Sequence, residues 1–223
     1  MARRILVINP NSSKAVTAEI DRVMGPLRCT DIEIVCTQLD DAPPGIQSQR
    51  DAEMVVPLVL TEIEARQATT DAFVIACYSD PGLFAAREST RRPVFGVAQS
   101  GLAFAAMLGE RVGVISLSRT AVARHMAYAR TLRLDGVIVA DLPVGKSVAE
   151  LQDEGMGSGP MIEAGRDLVE RYGANVIVLG CAGMARYRER METALGCPVV
   201  DPTEAAVGAA LTSLRCRYRT VGR

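Results

Sequence analysis

The chain has 223 residues, 25 Lys and Arg against 26 Asp and Glu, and a hydrophobic share of 48%, enough to bury a core as one large or two small domains. A net charge of −1 gives no electrostatic reason to expect nucleic acid or an anionic membrane as partner, and no run approaches the roughly 18 apolar residues that span a bilayer. One histidine, His125, and six cysteines without a Cys-x-x-Cys pair match no familiar metal-site spacing, so no metal is expected. The start, Met1-Ala2-Arg3-Arg4, leads straight into a strand-like pentamer rather than a signal-peptide pattern, so the expectation is a cytoplasmic protein with free thiols.

In chain order, Ile5 to Asn9 reads as a strand, and Ser12 or Ser13 caps a helix that runs to Met24 and ends at Gly25-Pro26. Ile32 to Thr37 is a second strand, followed by a loop of turn residues at Asp40-Asp41-Ala42-Pro43-Pro44-Gly45. A long helix is expected from Arg50 to Ala68 with a kink at Pro57, then the strand Ala72 to Cys77, a helix from Leu83 to Arg91 and a strand from Val94 to Val97. Gly101 to Leu108 reads as helix, Val112 to Ser116 as strand, Thr120 to Leu132 as helix and Gly136 to Ala140 as strand. Gly155 to Pro160 lacks the strand and the Lys-Ser/Thr that give a phosphate loop its mechanism, and reads as a flexible connector before a helix from Met161 to Tyr172. Val176 to Leu179 then leads to Cys181, and Arg186, Arg188 and Arg190 read as a solvated helix face, as do Arg215, Arg217, Arg219 and Arg223 in the tail.

This alternation of Val- and Ile-rich segments with helix-length stretches is the signature of an α/β protein with parallel strands buried on both faces. The chain also repeats itself. Ala72-Phe73-Val74-Ile75-Ala76-Cys77 resembles Val176-Ile177-Val178-Leu179-Gly180-Cys181, and Arg4-Ile5-Leu6-Val7-Ile8-Asn9 resembles Arg111-Val112-Gly113-Val114-Ile115-Ser116. The spacing is 68 positions from Asn9 to Cys77 and 65 from Ser116 to Cys181. Independent strands of one large sheet are the alternative reading; the shared cysteine favours two similar halves.

The segments Ile8-Asn9-Pro10-Asn11-Ser12, Ala76-Cys77-Tyr78-Ser79-Asp80-Pro81-Gly82-Leu83 and Gly180-Cys181-Ala182-Gly183-Met184, in this order, resemble the hydantoin racemase branch of the aspartate/glutamate racemase superfamily. The resemblance implies two pseudo-symmetric lobes, each a parallel sheet flanked by helices, with the active site between them and one cysteine from each. The lobes are expected at residues 1–97, completed by 204–223, and 98–203. The resemblance further implies a cofactor-independent enzyme that is commonly a homo-oligomer. Asn9-Pro10-Asn11 replaces the Asp-Ser-Gly turn of glutamate racemases, which argues against a free acidic amino acid as substrate. The presence of both Cys77 and Cys181 argues against the arylmalonate decarboxylase branch, which keeps the second alone.

The C5 proton of a hydantoin is acidified because its carbanion delocalises as an enolate, so racemisation needs a base on one face, an acid on the other and donors for the developing oxyanion. A thiol with an ordinary pKa of about 8.5 serves either role, which makes Cys77 and Cys181 the candidate proton carriers. The substrate class is then a small cyclic ureide, either a 5-substituted hydantoin or allantoin. Asn11 and Ser79 are candidates to orient the ring amide, with Ser116 and Ser118 as second-half counterparts and helix capping as the other role for Ser118. Each cysteine is expected at a strand-to-helix junction, where the backbone N–H groups of Tyr78 and Ser79, or of Ala182 and Gly183, point at a thiolate or enolate oxygen. Gln47 is either a substrate contact or a surface-loop residue. His125 is expected at the surface or in packing rather than as a base, and Asp80 as a turn or capping residue. A noncatalytic binding module and a dithiol redox switch are the readings from other classes.

Overall fold

Two four-stranded parallel sheets carry the chain, described by a computed structural model over residues 3–146, 150 and 154–218, the side chains of 154–157 excepted. The chain divides into one compact unit of Met1–Ser100 with Thr203–Arg223 and a second of Gly101–Pro202. The sheet order is β2-β1-β3-β4 in the first unit and β6-β5-β7-β8 in the second.

In the first unit, β1 (Arg3–Asn9) is central, between β2 (Ile32–Gln38) and β3 (Ala72–Ile75), with β4 (Val94–Gly96) at the edge. β1 from Ile5 onward and all of β3 are buried, as expected for parallel strands with both faces covered. Ile8, Phe73 and Ile75 pack with Val55, Val59, Ile63 and Leu83 in one core cluster, where each fully buried side chain contributes roughly 1.5–3 kcal/mol. Helix α1 (Lys14–Val23) starts where the Ser13 hydroxyl accepts from the Val16 N–H, and its buried Val16, Ile20 and Val23 recur at helical spacing.

The long helix expected from Arg50 to Ala68 is two helices, α2 (Gln49–Met54) and α3 (Val56–Arg66). Pro57 does not kink a continuous helix. It sits in the first turn of α3, where a missing N–H costs nothing. After α4 (Leu83–Ser89) and β4, helix α5 (Val97–Leu108) begins four residues earlier than the Gly101 expected from sequence and carries the chain into the second unit.

The second unit repeats the plan with β5 (Val112–Ser116) between β6 (Ile138–Pro143) and β7 (Val176–Leu179), and β8 (Val199–Val200) at the edge. β6 starts later than the expected Gly136, because Asp135–Val137 forms a 3-10 turn. Around the sheet lie α6 (Arg119–Leu132), α7 (Glu154–Glu170) and α8 (Arg188–Leu195), and α9 (Pro202–Arg215) returns the chain to the first unit.

The connector expected at Gly155–Pro160 is instead the first part of α7, with Pro160 inside the helix. Met161 and Leu168, both fully buried in the second core cluster, anchor α7, and this packing overrides the weak helix propensity of the glycines. Arg186 is also placed differently from expectation. It lies half-buried on a 3-10 segment, Ala182–Tyr187, while Arg188 pairs with Glu192 and Arg190 is exposed. Arg215 and Arg217 are exposed, and Arg219 and Arg223 lie outside the described residues.

Candidate active site

The two units place their cysteines by the same backbone device. In the first, Ile8 pairs with Ile75, and the Ala76 N–H donates to the Ile8 carbonyl at 2.8 Å, so the chain emerges from β3 at Cys77 beside the loop that follows β1. In the second, Ile115 pairs with Leu179 and the Gly180 N–H donates to the Ile115 carbonyl, again at 2.8 Å, delivering Cys181 beside the end of β5. Carboxyl ends of parallel strands are where α/β folds put their ligand sites. Sheet register therefore brings Asn11 together with Cys77, Tyr78 and Ser79 in one unit, and Ser116 with Cys181, Ala182 and Gly183 in the other.

Around Cys77, the polar groups of the Asn-Pro-Asn loop are tied down. Buried Asn9 donates from Nδ2 to Asn11 Oδ1 (3.0 Å), to Thr17 Oγ1 (3.1 Å) and to the Ser13 carbonyl. Asn11 Oδ1 also accepts from the Ser13 N–H at 2.9 Å. Both contacts use the oxygen, so the amide is fixed in orientation and its Nδ2 has no partner among the described residues, leaving a donor for a ligand. Tyr78 is buried and Ser79 half-buried. The loop after β2 closes over this one: the Ser12 N–H donates to the Pro43 carbonyl and the Leu39 N–H to the Asn11 carbonyl. Gln47, further along, is exposed and its N–H donates to Asp51 Oδ2.

The expected strand-to-helix junction holds for Cys181 and not for Cys77. Cys181 is the residue from which the 3-10 segment Ala182–Tyr187 starts, whereas α4 begins only at Leu83, after the turn Tyr78–Gly82. That turn has its own fastening. Asp80, buried and at φ +42°, accepts from the Ala98 and Gln99 N–H groups, each at 2.9 Å, in the first turn of α5. It is a capping residue, as expected, but for a helix beyond the next strand rather than the adjacent one.

Burial pushes the Cys181 thiol up to about 11; the Gly183 N–H, which bonds the sulfur, pulls it back, and the Asp201 carboxyl pushes it further up. Cys181 is therefore a neutral thiol at ordinary pH, with an amide in place for the thiolate formed when it gives up its proton. Ala182 and Gly183 are buried beside it. Among the other thiols, burial pushes Cys36 up to about 12 and also raises Cys197, keeping both unreactive. No disulfide joins any of the six cysteines.

Ser116 is fully buried and its hydroxyl lies 2.7 Å from His125 Nδ1, inside the protein rather than presented to a ligand. His125 is buried in turn, with Asp141 Oδ2 at 3.4 Å from the same nitrogen, and neither Asp141 oxygen has a hydrogen-bond partner among the described residues. Ser118 caps α6, accepting from the Ala121 N–H at 3.2 Å and sharing a 2.9 Å hydrogen bond with Thr120 Oγ1. Sequence reasoning does not mark Asp141, Asp201 or Asn9 as functional. The signal available for the two acids is a lone carboxyl in or just after a Val- or Ile-rich strand, which a parallel sheet does not bury without a reason. No group of three His, Cys, Asp or Glu among the described residues is arranged to hold a metal ion, and no helix among them is long and apolar enough to cross a membrane.

Each α/β unit ends its third strand in sequence beside a cysteine, and similarity to known proteins gives the class, a racemase. The chain belongs to the Asp/Glu/hydantoin racemase family, whose pattern matches residues 5–210, and within it to the hydantoin racemase branch. It is 35% identical to the hydantoin racemase of Pseudomonas sp. (strain NS671) over 94% of this chain and 85% of that one. It is 33% identical to the hydantoin racemase of Paenarthrobacter aurescens over 97% and 93% of the two chains. The fold superposes on allantoin racemase from Klebsiella pneumoniae with a TM-score of 0.94 at 29% identity, covering 99% and 91% of the chains. The protein is thus an isomerase of the racemase type.

Proposed function

We propose that the chain racemises 5-substituted hydantoins without a cofactor, by proton transfer at C5 between Cys77 and Cys181. The observation that carries this reading is the occurrence of one thiol at the same strand end of each repeated unit, on the same backbone hydrogen bond. The identity to two hydantoin racemases supports the substrate class. In the direction that starts with Cys181 holding its proton, Cys77 acts as the base. It takes the C5 proton from one face, the electrons delocalise into the ring carbonyl as an enolate, and Cys181 returns a proton to the opposite face. The Gly183 N–H receives the resulting Cys181 thiolate. For the other enantiomer the roles reverse.

The free Nδ2 donor of Asn11 suits a ring carbonyl, and Ser79, on the Cys77 turn, suits a ring N–H or carbonyl. Tyr78, Ala182 and Gly183 contribute backbone N–H groups, and Gln47 a contact from the loop side. Ser116 and Ser118, engaged with His125 and as a helix cap, serve the site by holding the β5 end in place. Allantoin racemisation is the second reading, favoured by the structural match to an allantoin racemase, since the reacting carbon is the same and the C5 substituent alone differs. A homo-oligomer is part of the proposal, and sedimentation velocity checks it.

Proton NMR in D₂O on single-enantiomer 5-benzylhydantoin and allantoin, with optical rotation followed in parallel, tests the reading. Exchange of C5–H with loss of rotation is expected, and the faster substrate selects the branch. Cys77→Ser and Cys181→Ser are each expected to lower racemisation by about a thousandfold, within the range of general acid–base catalysis. Undiminished racemisation by either variant would sink the two-thiol assignment.

A further inference from the structure

We propose that Asp80 is the positioning residue for Cys77: its carboxylate fastens the Cys77 turn to the start of α5 and so sets where the thiol stands. The inference rests on the reading of Cys77 as a proton carrier. Three observations single out this residue. Asp80 adopts φ +42°, a left-handed conformation uncommon for residues other than glycine, which Asp tolerates better than most and which persists where the surroundings fix it. Its carboxylate is buried and accepts two N–H groups of the first α5 turn, Ala98 and Gln99, at 2.9 Å each, which are charge-assisted bonds to the positive end of a helix. The third observation is Gly96, where an added Cβ would stand 2.3 Å from the Asp80 carboxyl carbon, so β4 ends on glycine where the carboxylate must enter.

The fastening reaches the thiol through the backbone. The Asp80 N–H donates to the Cys77 carbonyl at 2.8 Å, closing the turn Cys77-Tyr78-Ser79-Asp80, and the Asp80 carbonyl accepts from the Leu83 N–H at the start of α4. One residue thus links the end of β3, the start of α4 and the start of α5. Cys77 has no helix start directly behind it, and Asp80 supplies the rigidity that the adjacent 3-10 segment supplies for Cys181. Displacement of a proton carrier by even an ångström is costly to turnover, because abstraction needs a near-attack geometry.

Three variants test this. Asp80→Gly removes the carboxylate and relieves the backbone strain, Asp80→Asn turns an amide N–H toward one of the two helix donors, and Gly96→Ala expels the carboxylate while leaving Asp80 in the chain. Iodoacetamide labelling of Cys77 is followed by peptide mass spectrometry, with half-buried Cys36 of the same unit, whose thiol is raised to about 12, as internal reporter of general loosening. The expected result is a change of about threefold or more in the Cys77 rate with the Cys36 rate unchanged, and a fall in kcat of about a hundredfold with KM altered much less. Parental labelling of Cys77 in all three variants, or a parallel rise at Cys36, would overturn the proposal. If the parent protein exchanges no C5 proton, the functional reading fails, while the labelling result still decides the role of Asp80.

Discussion

The Cys77 turn and the Cys181 turn share one backbone hydrogen bond and differ in nearly everything else that holds them. Each closes with an N–H three residues on donating to the cysteine carbonyl, from Asp80 at 2.8 Å and from Met184 at 3.0 Å. In the first unit that residue is a strained, buried acid bonded to another helix. In the second it is an unstrained, fully buried Met in the core cluster. The last residue of each central strand shows the same divergence. Asn9 ties β1 to Thr17 of α1 by an amide, and Ser116 ties β5 to His125 of α6 by a hydroxyl, with the Asp141 carboxyl behind. Sheet register fixes the place of the thiol in both units, and each half then secures that place with its own polar chemistry.

The largest expected break in this correspondence is at His125. His125→Ala leaves the buried Ser116 hydroxyl without its partner and empties the space of the ring beside the Asp141 carboxyl, and is expected to cost about 3 kcal/mol, from an orphaned hydroxyl at about 1–3 kcal/mol together with the cavity. Thr17→Val at the matching place in the first unit removes a single neutral hydrogen bond and is expected to cost about 1 kcal/mol. Urea midpoints compare the two, and equal losses would show that the two anchors are equivalent.

Next is the titration of Cys181. A thiol pushed up to about 11 carries about two hundredfold less thiolate at pH 8 than one at the ordinary value of about 8.5, so alkylation of Cys181 should be slower by that factor and rise about tenfold per pH unit toward pH 11. Asp201→Asn should move this profile to lower pH, because Asp201 raises the thiol. The folded pKa lies above the unfolded one. The stability that Cys181 contributes as a buried neutral thiol is therefore present below the unfolded pKa of about 8.5 and lost as pH rises through about 11. A Cys181 profile centred near 8.5 would refute the buried-thiol picture.

The smallest contrast is at the position before each cysteine, Ala76 in one unit and Gly180 in the other. A Cβ at Gly180 would stand 2.6 Å from the Ile115 carbonyl oxygen, so Gly180→Ala is expected to cost about 2 kcal/mol as overpacking, read as a lowered Tm. Ala76→Gly is expected to cost under about 1 kcal/mol, mostly from chain entropy. The halves are interchangeable at this position if the two losses match.

Strands, their order of appearance and the cysteine pair are legible in the sequence because each is written locally, as a β-branched run closed by a turn. The second unit's repetition of the first is legible for the same reason. What escapes is whatever depends on a neighbour across the sheet. Val97 reads as the end of a strand by its side chain, yet Asp80 accepts the N–H groups of Ala98 and Gln99 and a helix starts there. The helical path of residues 154–160 is imposed by the packing of Met161 and Leu168, against glycines that favour no helix. His125 reads as a surface or packing residue, and its contacts with Ser116 and Asp141 follow from β5 and β6 being adjacent, which no local pattern states. At the site itself, the candidate serines are found by their place after a strand. Capping by Ser118 is legible there, as one of its two expected roles, whereas the buried hydrogen bond of Ser116 is not, because its partner His125 comes from the middle of α6.

The chain passes between its units within two helices, α5 and α9, and the second passage has a consequence for biosynthesis. The Arg3 guanidinium donates to the Leu214 carbonyl at 2.6 Å, a contact between residues 211 positions apart. On a ribosome the sheet of β1 to β4 is therefore made well before the helix that completes its unit, while Gly101–Pro202 has all its segments in hand before α9 emerges. Order along the chain and order of completion are opposite: the unit whose sheet comes first is completed by the later helix α9.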